Sequence, residues 1–73
     1  MDESVLKERL ILENAEFRKL HEEHQKLERT LADLSGKSHL TEDERLEERE
    51  LKKRKLALKD RMYRIMTDAR TPL

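Results

Sequence analysis

The chain has no cysteine and no tryptophan among its 73 residues, with one glycine, one proline, one phenylalanine and one tyrosine. Without cysteine there is neither a disulfide framework nor thiolate metal ligation, and nothing points to an oxidising compartment. Two aromatic residues, Phe17 and Tyr63, are too few for a stacking platform for bases. A single glycine and a single proline supply little material for turns, which argues against sheet. No apolar run is long enough for a signal peptide or a membrane span, so a cytoplasmic location is the default expectation. Net charge is also lacking: 17 basic residues balance 17 acidic ones. What remains is a chain that is 47% charged and 34% apolar, with room for one domain and too little interior for a large core.

The apolar residues are ordered. Leu6, Leu10, Glu13, Phe17, Leu20, His24, Leu27, Leu31 and Leu34 alternate in steps of four and three, and seven of these nine are apolar. That spacing makes one continuous stripe on a helix. It predicts a first helix over about 3–34, on the order of 45 Å long, capped at its start by Asp2 or Ser4. A turn over 35–41 contains Gly36, expected in the left-handed conformation that closes a helix. Thr41-Glu42-Asp43-Glu44 matches a capping box and opens a second helix over about 42–68, beyond which the chain is expected to fray from Ala69 through Arg70, Thr71 and Pro72 to Leu73.

Two long helices joined by a short turn predict an all-α fold, an antiparallel hairpin forming a single domain over 1–73. Its expected core is Leu10, Phe17, Leu20, His24, Leu51, Leu58, Met62 and Ile65, interrupted by Lys55. With the turn centred near Lys37 and Ser38, Phe17 faces Leu58, Leu10 faces Ile65, and Leu20 lies beside Lys55. Toward the turn the match fails, because Leu27 and Leu31 face Glu48 and Glu44 while Leu46 points off the stripe. Leu27, Leu31, Leu34 and Leu46 are therefore the expected interface of a homo-oligomer, a homodimeric four-helix bundle or a longer coiled coil. Burying them would contribute roughly 25 cal/mol per Å². The alternative is that lysine and arginine stems cover them.

The charges are blocked. Glu42 to Glu50 is acidic, and Lys52, Lys53, Arg54, Lys55, Lys59, Arg61 and Arg64 make the rest of helix two basic. Lys52, Lys53, Arg54 and Lys59 are candidate phosphate-binding residues, the basis of a nucleic-acid reading. The same layout complements the helix dipole, and Glu48 with Lys52, Glu50 with Arg54 and Asp60 with Arg64 can pair at four-residue spacing. His21 and His24 stand three apart, not four as in the zinc-binding His-Glu-x-x-His motif, and no convincing fourth ligand joins them, so no metal is expected. His24 is read instead as an interhelical residue satisfied by a neighbour such as Glu48, and Glu13 as a partner of Lys59 or Arg61. Gly36-Lys37-Ser38 lacks the earlier glycine and the strand of a phosphate-binding loop. No catalytic set and no cofactor emerge, and an enzyme is not expected.

Phe17, Leu20, His24 and Leu27, followed by the run Leu51-Lys52-Lys53-Arg54-Lys55-Leu56-Ala57-Leu58-Lys59-Asp60-Arg61-Met62, resemble the YdcH-like family of small bacterial proteins. The resemblance implies short helical, coiled-coil members of a domain of unknown function in a bacterial cytoplasmic setting. It also marks His24, Lys52, Lys53, Lys59 and Asp60 as positions matching the family pattern. The resulting expectation is an interaction module acting by self-association or by binding an unidentified protein partner. A nucleic-acid-binding protein is the alternative, and an amphipathic helix lying on anionic lipid is a third reading.

Overall fold

The computed structural model describes residues 3–70, which form three helices and no strand: α1 Glu3–Glu13, α2 Ala15–Ser35 and α3 Glu42–Arg70. Asp2, Thr71, Pro72 and Leu73 lie outside the described residues, and Ser4 sits inside the first turn of α1. The molecule measures 50 × 20 × 17 Å. No helix among the described residues is long and apolar enough to cross a membrane.

The first correction to the sequence reading is that the single helix over 3–34 is two helices. Asn14 breaks it with an extended backbone, φ −117° and ψ 109°. Its N–H still donates to the carbonyl of Leu10 at 2.8 Å, closing α1, while its Oδ1 accepts from the amide of Phe17 at 2.9 Å, opening α2. That is an N-cap: a short polar side chain satisfies an amide that the first turn leaves orphaned. Arg18 completes the joint. Its Nε donates to the Ile11 carbonyl at 2.7 Å and its Nη2 to Leu12 at 3.0 Å, so a cation covers the negative end of α1.

A second correction concerns the turn. Gly36 is right-handed, with φ −76° and ψ −11°, and its N–H donates to Ala32 at 3.0 Å. Lys37 donates to Leu34 at 3.2 Å. The last turn of α2 therefore winds past Gly36 before the chain reverses. The capping box forms as the sequence predicts: the Glu44 amide donates to Thr41 Oγ1 at 3.1 Å, and the Thr41 amide donates to Glu44 Oε1 at 3.0 Å.

α2 and α3 pack side by side, and their ion pairs run in opposite chain order, with Glu16 near Arg61 at 3.8 Å and Glu28 near Lys55 at 3.5 Å. Lys55, expected beside Leu20, pairs with Glu28. Leu6, Leu10, Phe17, Leu20, Leu58, Met62 and Met66 form one buried cluster, drawn from all three helices, with Ile11, Leu27 and Ile65 packed against it. Met66, only 2% exposed, joins the core beyond the expected set. Leu51 and His24 are half-buried.

Candidate interaction surface

On α3 the residues turned toward the core are Leu58, Met62 and Met66, flanked by the half-buried Leu51, Lys55 and Ile65. At 100° per residue the opposite side of the helix carries Glu42, Leu46, Arg49, Lys53, Leu56, Asp60 and Tyr63, again in steps of four and three. All seven are exposed. Leu46 is 57%, Leu56 62% and Tyr63 59% exposed, a row of large apolar groups in a field of charge. Shallow grooves beside the row are lined by Leu46 and Leu56 together with Arg45, Arg49, Lys52 and Lys53 and the acids Glu42 and Glu48, so the surface is apolar and carries charge of both signs. Val5 and Leu12 add exposed apolar groups on α1.

Of the four leucines expected at an interface, one, Leu34, departs from that expectation by being buried in the chain itself. Leu34 is buried within the chain at 6% exposure, and Leu27 and Leu31 are half-buried, Leu27 against the core. Leu46 alone stands exposed. Leu56 and Tyr63 were not in the expected set; their signal is the second four-three spacing on α3, diluted by four charged positions.

Of the candidate phosphate-binding residues, Lys52 and Lys53 line one groove with Arg45 and Arg49. Lys52 and Lys59 lie on one flank of α3, Lys53 on the outer face and Arg54 about 200° from Lys52. Lys52 pairs with Glu48 at 3.8 Å. Asp60 with Arg64 and Glu50 with Arg54 make no ion pair among the described residues.

A cleft of about 420 Å³ between the helices is lined by residues including Lys7, His21, His24, Glu28, Lys59 and Tyr63. His24 Nε2 is buried without a hydrogen bond, so the expected satisfaction by a neighbour such as Glu48 does not form; Glu28 Oε1, one turn on in the same helix, lies 3.8 Å away. Burial lowers the His24 pKa, Glu28 raises it, and Lys59, Lys55 and His21 push it down again. The net effect keeps the ring neutral near pH 7. Glu13 forms no ion pair with Lys59 or Arg61, and Arg61 turns to Glu16. No three His, Asp or Glu side chains group as metal ligands among the described residues.

At the loop, Lys37 pairs with Glu44, and that hydrogen bond together with the Thr41 amide holds the Glu44 carboxyl down at about 2. A carboxyl held below its unfolded value of 4.5 stabilises the fold above that pH and loses this contribution as pH falls toward 2. The protection of the Thr41 and Glu44 amides, measured as exchange relative to the unfolded chain at the same pH, should therefore fall between about pH 4.5 and 2 in the wild type, a response absent from Glu44→Gln. An identical acid response in that variant would show that the clip does not set it.

A family model described as "Protein of unknown function (DUF465)" matches residues 17–66, from the buried Phe17 to the buried Met66. No curated protein matches the chain, and no solved structure does.

Proposed function

The chain belongs to the DUF465 family, the family its sequence resembles, and from that premise we propose that it acts as an interaction module, a helical hairpin that assembles with another protein chain, its own copy first. The observation that carries this reading is the outward row of Leu46, Leu56 and Tyr63, each more than half exposed on a helix of 29 residues. Exposed apolar groups aligned along one helix face favour burial against a second apolar surface. The surrounding charges, of both signs, tune such a contact, supplying orientation more than affinity.

Sedimentation equilibrium over a wide concentration range tests the reading. The apparent mass should rise above the 8.8 kDa of one chain as concentration increases. A constant 8.8 kDa at every concentration would overturn self-association.

A further inference from the structure

We infer that the outer face of α3 binds a second copy of itself in antiparallel orientation, an inference that rests on the interaction-module reading above. The four-three row Glu42, Leu46, Arg49, Lys53, Leu56, Asp60 and Tyr63 has the spacing of a coiled-coil seam. A seam that meets its own copy across a two-fold axis must be self-complementary, because each residue then sees its mirror position in the order of the chain. This one is. With the axis between Arg54 and Lys55, Leu46 lies against Tyr63 of the second copy, Arg49 against Asp60, and the stem of Lys53 against Leu56. Symmetry makes every one of these contacts occur twice.

Charge selects the orientation. Residues 42–50 carry six acidic and two basic side chains, whereas residues 51–70 carry eight basic and two acidic. With that axis antiparallel helices set 42–50 over 59–67, which carries Lys59, Arg61 and Arg64 against one acid, while the basic run 52–55 meets its own copy at the axis and Lys52 flanks Lys59 of the second copy; parallel helices would set like over like along the whole length. Beside the seam, Asp43 falls near Arg64 of the second copy. Within one chain Arg49 and Asp60 make no ion pair among the described residues, and both are exposed, so each is available to a partner. The seam holds four charged positions and only three large apolar ones. Such a composition gives a weak, salt-sensitive dimer in which the Arg49 and Asp60 pair fixes the register.

Charge exchange tests the arrangement in the full chain. Arg49→Asp and Asp60→Arg should each weaken dimerisation at least tenfold at low salt, because two attractions become two repulsions. The double variant carrying both changes should return to within about threefold of the wild type, since the pair is restored with its signs reversed. Circular dichroism of all three should match the wild type, as neither residue touches the core. Two single variants that dimerise like the wild type would overturn this face while leaving self-association standing. A wild type that stays monomeric would overturn both.

Discussion

Replacing Phe17 with alanine should destabilise the fold by about 3–5 kcal/mol and leave most of the chain unfolded at 25 °C. Phe17 is the one described side chain with no exposed surface. It stands in the first turn of α2, where Asn14 fixes its amide, and it belongs to the cluster that joins Leu6 and Leu10 of α1 to Leu58, Met62 and Met66 of α3. Removing the ring costs its transfer from water and leaves a cavity bordered by three helices that cannot all close on it. A core in a chain this short supplies about 3–5 kcal/mol in net stability, so the loss is comparable to the whole. Phe17→Leu, which keeps most of the volume, should cost no more than about 1.5 kcal/mol. Urea titration followed by helical circular dichroism reads both variants. A Phe17→Ala midpoint equal to that of the wild type would mean that the cluster is not what holds the helices together.

The core was largely legible because it follows a single period. Leu10, Phe17, Leu20, Leu58 and Met62 are buried where a 3.6-residue repeat puts them, and Thr41 with Glu44 forms the box that their spacing announces. The break at Asn14 was hidden by the same regularity. The apolar stripe passes from Leu10 to Phe17 without losing phase, so periodicity alone reports one helix where there are two. The signal was a smaller one: an asparagine three residues before Phe17, with Arg18 placed to reach back over the end of α1. Met66 was missed for a different reason. It lies on the stripe four residues after Met62 and is buried in the cluster that also takes Leu6 and Leu10 from α1, a three-helix packing that a two-helix reading does not contain. The surface row on α3 was obscured because its apolar members are separated by charge. It becomes visible only once α2 has claimed the opposite face and the leucines near the loop are covered.

Asn14 and Arg18 together should hold the bend between α1 and α2, and converting both to alanine should lower the melting temperature by about 10 °C. Asn14→Ala removes the acceptor for the Phe17 amide, a loss of about 1 kcal/mol. Arg18→Ala releases the carbonyls of Ile11 and Leu12, and with the charge partly in solvent the loss is about 1 kcal/mol more. A domain of this length shifts by about 4–8 °C for each kcal/mol. Alanine also has the highest helix propensity, so the variant is free to run on as one straight helix from α1 into α2. That helix would carry Leu6 and Leu10 along the axis of α2 and off Met66, exchanging buried apolar surface for backbone continuity. Asn14→Asp, an equally good cap, should melt within about 2 °C of the wild type and keep the bend. Thermal melts combined with amide exchange at Phe17 separate the outcomes. A double variant with the wild-type melting temperature and an equally protected Phe17 amide would show that packing of α1, and not its two caps, sets the angle.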